Sequence, residues 1–145
     1  MNYKNKQFGT VIVIVLLITI FWLGQNLVRG QATVITIGII VTLIICLILF
    51  YSLTVEIKDN ILMCRFGFGL IKKNIKLSDI HNVRIVRNPW YSGWGIRWKP
   101  GKYVLWNVSG FDAIEIQLRQ NQKFRIGTNK PTELAQAIKQ SIETK

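Results

Sequence analysis

Two apolar stretches decide the fold of this chain: FGTVIVIVLLITIFWLGQNLV at residues 8–28 and ATVITIGIIVTLIICLILFY at residues 32–51. Neither stretch contains a charged side chain. A helix of about 20 residues rises roughly 30 Å, which matches the hydrocarbon core of a bilayer. Inside lipid such a segment forms a helix, because a helix satisfies its own backbone hydrogen bonds. The sequence therefore predicts two transmembrane helices at these positions.

The polar segment between the two stretches is short, so the helices are predicted to form an antiparallel hairpin over residues 1–52. Lys4 and Lys6 precede the first helix and many basic residues follow the second, whereas Arg29 is alone in the turn at 24–31. The positive-inside rule then predicts that both termini are cytoplasmic, in a multi-pass protein of the cell membrane. A signal peptide is the alternative for the first stretch, but its length and the lack of an Ala-x-Ala site oppose cleavage.

The interiors of the two predicted helices argue against one class of function and favour one kind of contact. Ion and proton pathways usually need ionisable side chains within the membrane, and none is present here, so a transporter is disfavoured. Gly38, Thr42 and Cys46 recur at four-residue steps, which places small side chains on one helix face. That face is predicted to pack either on the first helix or on a second copy of the chain in a homo-oligomer.

The rest of the chain, residues 53–145, is predicted to be one cytoplasmic domain. Apolar and polar residues alternate in it with the period of a half-buried strand. Asp59 and Asn60 are expected to form the first tight turn, and Leu134 and Ile138 lie on the apolar face of a C-terminal helix. The seven predicted strands lie near residues 53–58, 61–66, 71–77, 81–87, 96–106, 113–119 and 123–126, with an aromatic loop at 88–95.

Four stretches of this region resemble, in amino-acid sequence and in order, the bacterial pleckstrin-homology-like family, whose domains often follow membrane spans. The resemblance implies an α+β membrane protein in which a two-helix transmembrane hairpin precedes a seven-stranded, partly open β-barrel closed by a C-terminal α-helix. Most members of the family lack an assigned activity, so the resemblance implies no catalytic residues. The four stretches are FGFGLIKKNI (66–75), GWGIR (93–97), NVSGFDAIE (107–115) and RIGTNKP (125–131).

No group of residues points to catalysis, a metal or a cofactor. His81 is the only histidine, and no motif supplies it with a nucleophilic partner. Cys46 and Cys64 lack the spacing of metal ligands and are too few for a disulfide framework. The sequence therefore predicts a protein that is not an enzyme and that has no cofactor.

One segment, residues 84–106, combines basic and aromatic side chains without an intervening acid. Its tryptophans either fill the core and edges of the fold or contact a partner protein or lipid headgroups, and nucleic acid is not expected. Sixteen of the nineteen basic residues and all seven acidic ones follow residue 51, and the resulting net charge of +9 favours anionic neighbours. The candidate binding residues are Arg84, Arg87, Trp90, Trp94, Arg97, Lys99 and Lys102.

These observations predict a binding or scaffold module that is integral to the lipid bilayer and positions an unidentified protein partner at the inner membrane face. The alternative is a peripheral sensor of anionic lipid headgroups that uses the basic, tryptophan-rich loop. The sequence leaves both alternatives open.

Overall fold

The computed structural model describes residues 2–143, which form an α+β protein with three helices and two β-sheets. The helices are Thr10–Val28 (α1), Val34–Phe50 (α2) and Pro131–Glu143 (α3). The strands are Tyr3–Phe8 (β1), Ser52–Lys58 (β2), Ile61–Phe66 (β3), Ile71–Lys76 (β4), Ile80–Arg87 (β5), Gly95–Lys99 (β6), Tyr103–Asn107 (β7), Asp112–Leu118 (β8) and Lys123–Gly127 (β9).

The first sheet has the order β1-β2-β3-β4, and every neighbouring pair in it is antiparallel. Asp59 and Asn60 join β2 to β3 with φ values of 50° and 64°, the left-handed conformation that a two-residue hairpin turn requires. The predicted tight turn and the two strands beside it are therefore confirmed.

The second sheet has the order β5-β8-β9-β7-β6, in which β7 and β9 are parallel and the other neighbours antiparallel. The prediction of a single strand over 96–106 is wrong. Pro100 lacks a backbone donor and Gly101 has a φ of 71°, so the chain reverses there, closed by a 3.0 Å bond from Lys102 N to Lys99 O. Residues 2–143 form nine strands in two sheets rather than the predicted seven strands, and the sheets do not join into a closed barrel.

Strand β1 lies in the segment that sequence analysis treated only as a basic flank of the first helix. It pairs with β2 along its whole length, from Tyr3 opposite Ile57 to Phe8 opposite Ser52. Its own side chains are mostly polar and give no apolar alternation. Asn5 and Gln7 instead donate hydrogen bonds to Asn129 Oδ1 and Ser109 O, each at 2.9 Å. The part of the chain before the helices is thus joined to the part after them.

The hydrophobic core lies between the two sheets, and α3 packs against β5 and β8. Leu134 and Ile138 of α3 are fully buried, as their four-residue spacing predicted. Trp106 has its ring centroid 5.0 Å from that of Phe66 and 5.6 Å from that of Phe124, so it links the two sheets. This tryptophan serves packing, which was one of the two alternatives for the aromatic side chains.

Helices α1 and α2 pack along each other and contain no buried residue. By length and composition α1 is the one helix among residues 2–143 that could cross a membrane, since α2, also apolar, has 17 residues. The turn between them begins at Arg29 rather than at Gly24, because α1 continues to Val28. At Gly38 a Cβ would meet no atom within 4 Å. Packing of the Gly38, Thr42 and Cys46 face on α1 or on a second copy of the chain stays a prediction.

The base of the helix pair is tied to the first sheet through backbone groups. Gly9 N donates to Tyr51 O at 2.9 Å and Gly67 N donates to Ser52 O at 2.8 Å. Gly67, in the β3–β4 turn, lies so close to the last turn of α2 that a Cβ would be 2.6 Å from Ile48 O. The orientation of the helices relative to the sheets therefore depends on a glycine at position 67.

We expect Gly67→Ala to destabilise the fold, because the new methyl group meets backbone atoms that cannot move away independently. Gly110→Ala is the matched control: Gly110 also has a positive φ, 69°, but a Cβ there meets nothing within 4 Å. Left-handed strain alone costs on the order of 1–3 kcal/mol in either variant. Thermal unfolding of the full chain in detergent, followed by tryptophan fluorescence, should show the larger loss for Gly67→Ala. Equal losses of stability in the two variants would mean that the backbone near Ile48 moves away from the new methyl group without cost.

Candidate binding surface on the second sheet

A single row of side chains crosses all five strands of the second sheet. Arg84 of β5 lies opposite Glu115 of β8, which lies opposite Arg125 of β9. The row continues through Leu105 of β7 to Arg97 of β6. Because paired residues on neighbouring strands share a face, this row lies on the side of the sheet away from the main core. We call that side the outer face.

Glu115 is buried on the outer face and binds the two arginines beside it. Its Oε1 accepts from Arg84 Nε at 2.8 Å, and its Oε2 accepts from Arg125 Nε at 2.7 Å. Burial raises the pKa of Glu115, but the hydrogen bonds and positive charges of both arginines outweigh burial and hold the pKa below its ordinary value. The carboxylate is therefore charged near neutral pH, and Arg84, a predicted binding residue, is already paired.

Residues 88–94, which we call the covering loop, lie over this row. Asn88 Oδ1 accepts from Arg125 Nη1 at 3.2 Å, and the Lys99 ammonium lies 3.5 Å from Ser92 Oγ. The Arg125 guanidinium also stacks 3.7 Å above the centre of the Tyr103 ring. Polar contacts from Lys99 of β6 and Arg125 of β9 thus hold the loop on the sheet.

The covering loop presents aromatic side chains to solvent. Trp90 is 81% exposed and contacts Tyr91 edge to face, with 6.1 Å between ring centroids. Lys99 Nζ lies 5.2 Å from the centre of the Tyr91 ring, a cation–π distance. Trp94 is half-buried, and its Nε1 has no acceptor among the described residues. The loop combines an exposed aromatic pair with a fixed positive charge.

The structure brings six of the seven predicted binding residues to one region. Arg84, Arg97 and Lys99 lie on the outer face, and Trp90 and Trp94 lie in the covering loop. Arg87 ends β5 opposite Asp112, at the start of the loop. Lys102 lies beyond the end of β6, in the β6–β7 turn, where its backbone N donates to Lys99 O.

Sequence analysis missed Glu115, Arg125 and Tyr103, which support the loop from below. The only available signal was Glu115 at the polar position between Ile114 and Ile116, and its partners depend on strand order. Within residues 2–143 no cluster of three or more His, Cys, Asp or Glu side chains is placed to hold a metal ion.

Comparisons of the chain with models of protein families, with curated proteins and with solved structures gave no match.

We expect Glu115→Gln to cost roughly 3 kcal/mol of stability, because it leaves two arginines beside a buried neutral amide. Glu56→Gln is the matched control, since Glu56 makes a more exposed, 3.5 Å ion pair with Arg65 and should cost at most about 1 kcal/mol. The measurement is chemical unfolding of the full chain in detergent.

The same pair of variants predicts a pH dependence. The lowered pKa of Glu115 means that its stabilisation is complete above about pH 4.3, the ordinary carboxyl pKa, and is lost as pH falls through the lower folded value. Acidification should therefore destabilise the wild type and Glu56→Gln in this range more than Glu115→Gln. If Glu115→Gln lost as much stability on acidification as the wild type, the proposed role of the carboxylate would be contradicted.

Proposed function

We propose that the protein is a membrane-anchored binding module without catalytic activity, which positions a partner protein at the cytoplasmic membrane surface. Helices α1 and α2 cross the bilayer as an antiparallel hairpin, and both termini are cytoplasmic. The observation that carries the proposal is the pair of unburied apolar helices that leave adjacent strands of one sheet. In water these helices would expose a large apolar surface, which lipid would cover.

The lengths of the two helices support two crossings. At 19 and 17 residues they rise about 28 Å and 25 Å, and transmembrane helices need roughly 17–25 residues. Arg29 is the only charged residue between Lys6 and Glu56, and many basic residues lie beyond both ends of the hairpin. That distribution favours a turn outside and a domain inside.

A collar of exposed apolar side chains at the base of the hairpin supports contact between the domain and the membrane surface. Phe68 and Leu70, in the β3–β4 turn, are 79% and 77% exposed. The Phe68 ring lies 5.6 Å from that of Tyr51, directly after α2. Lys6 Nζ lies 4.9 Å from the centre of the Phe8 ring, which pairs aromatic and basic groups as the headgroup region favours.

The proposed family is the bacterial pleckstrin-homology-like family. Support comes from the four-stranded first sheet followed by a second sheet and a C-terminal helix that packs on it. The parallel pair of β7 and β9 is a departure from a simple antiparallel succession of strands.

The partner surface proposed here is the covering loop together with Arg97. Exposed tryptophan, tyrosine and arginine are the residues that contribute most often to the energy of protein interfaces. Trp90 and Tyr91 satisfy this pattern on a loop that Arg125 and Lys99 hold from beneath. The alternative function is sensing of anionic lipid by the same loop, which is favoured by the absence of acidic residues in it.

Topology can be tested with two cysteine variants in intact bacterial cells, both made on a Cys46→Ala background. Gln31→Cys lies in the α1–α2 turn and Gln120→Cys lies in the β8–β9 turn, and both sites are exposed. Cys64 is a silent background thiol: burial raises its pKa to about 12, against a smaller opposing effect of Lys73, so little thiolate exists at pH 7.

A membrane-impermeant maleimide should label Gln31→Cys in intact cells and Gln120→Cys only after permeabilisation. Labelling of both variants in intact cells would contradict the proposed topology. Labelling of neither variant before permeabilisation would contradict the two crossings.

The partner surface can be tested by replacing Trp90 with a photoreactive phenylalanine analogue in the full chain. The control site is His81, which is exposed at the opposite end of β5. We expect irradiation of cells to yield a discrete protein adduct from position 90 that Arg97→Ala weakens, and none from position 81. Adducts with lipid alone would favour the alternative function, and identical patterns at both sites would contradict a specific surface.

A further inference from the structure

We infer that the open cleft at the end of the second sheet is a binding site for a phosphate-bearing ligand with two or more negative charges. The cleft has a volume of about 320 Å³, which lies within the range of ligand pockets. It is formed where the β6–β7 turn, the β8–β9 turn and strand β4 meet. Lys99 lines the cleft and also contacts Ser92 of the covering loop, whereas the other lining residues lie outside that loop and outside the proposed partner surface.

Four lysines from separate segments converge on this cleft, and no acidic residue lines it. They are Lys73 of β4, Lys99 of β6, Lys102 of the following turn and Lys123 of β9. None of the four makes an ion pair with a carboxylate in the described part of the chain, residues 2–143. Four lysines and no acid around one cleft give it a positive potential, which favours a bound anion.

Lys73 is the most informative member of the group. It lies on the same face of β4 as Ile71 and Ile75, which face the core, and it is only partly exposed. Its Nζ lies 4.8 Å from the centre of the Phe124 ring, the one described contact that offsets loss of water. Lys73 has no carboxylate partner among the described residues, and an anion in the cleft would supply that counter-charge.

A structural explanation exists for two of the four lysines. Strands β4 and β6 are edge strands, and lysines on edge strands prevent sheets of different molecules from joining. That explanation does not extend to Lys102, which is in a turn, or to Lys123, which is on an internal strand. Convergence of edge, turn and internal residues favours a ligand over edge protection.

The other lining groups suit phosphate. Asn121 and Gln122 supply side-chain amides that can donate hydrogen bonds to phosphate oxygens. Trp98, 75% exposed, forms an aromatic wall against which the rest of the ligand can pack. The ligand is therefore either a soluble phosphorylated molecule or the phosphorylated headgroup of a lipid, and both present the same chemistry to the lysines.

The test uses the full chain in phosphatidylcholine nanodiscs and inorganic pyrophosphate as the probe, measured by calorimetry at low salt. The cleft variant is Lys102→Gln with Lys123→Gln. The charge-matched control is Lys58→Gln with Lys139→Gln, two exposed lysines that do not line the cleft. We expect saturable 1:1 binding that weakens at least about tenfold in the cleft variant and is unchanged in the control, as loss of charge-assisted hydrogen bonds requires.

Equal affinities for the cleft variant and the control, or no saturable binding by the wild type, would overturn the inference. Aggregation of the cleft variant without loss of affinity would instead assign the lysines to edge protection. A soluble ligand and a lipid headgroup are distinguished by comparing nanodiscs that contain phosphatidic acid with discs of equal charge that contain phosphatidylserine. Selective competition by phosphatidic acid indicates a lipid headgroup, and its absence indicates a soluble ligand. None of these outcomes bears on Trp90, so the proposed partner surface is tested separately.

Discussion

The hydrogen-bonded pairing of β1 with β2 is the constraint on which the rest of the structure depends. It brings the two ends of the helix pair together before either helix begins, and it continues to the bond between Gly9 N and Tyr51 O. Neighbouring strands are about 5 Å apart, whereas packed helices need about 8–10 Å between axes. The two chain segments must therefore move apart directly after the strand pair ends. Gly9 lies at that point, where a Cβ would be 3.0 Å from Val108 O. One small residue therefore allows both sheets to approach the helices.

A second constraint is the buried charge of Glu115. A carboxylate removed from water needs partners for both oxygens, and the five-stranded sheet provides them by placing an arginine on each neighbouring strand. Arg125 then has donors left over and uses one to hold Asn88. The position of the covering loop thus follows from the need to neutralise one acid, and the exposed Trp90 is presented from a rigid support.

Local signals in the sequence were sufficient to predict the elements whose contacts join residues close together in the chain. The Asp59-Asn60 turn and helix α3 needed only turn chemistry and a four-residue apolar repeat. Strand β1 could not be found in this way, since its partner lies more than forty residues away and its side chains carry no apolar pattern. The reversal at Pro100 and Gly101 had a local signal, but strand-forming residues on both sides, at 96–99 and 103–106, obscured it.

The candidate sites show the same division. The basic and aromatic residues at 84–102 were visible as a composition, but the pairing of Arg84 with Glu115 depends on β5 lying beside β8, and the sequence contains no information on strand order that elementary rules can use. Lys73 was visible as a charge on an apolar face. Its neighbours in the lysine-lined cleft come from three other segments, so only the tertiary structure collects them.

The pairing at the base of the hairpin also determines how the chain can be divided. Phe8 and Ser52 face each other across two antiparallel strands, so in topological terms the helices are an insertion into the turn of a β-hairpin. Truncation before Ser52 would remove β1 and leave the edge of β2 unpaired and open to association with other chains. Excision of residues 9–51 and closure of the gap by a two-residue turn would keep the sheet intact. The helix pair is separable from the β-rich part as a loop, not as a terminal domain.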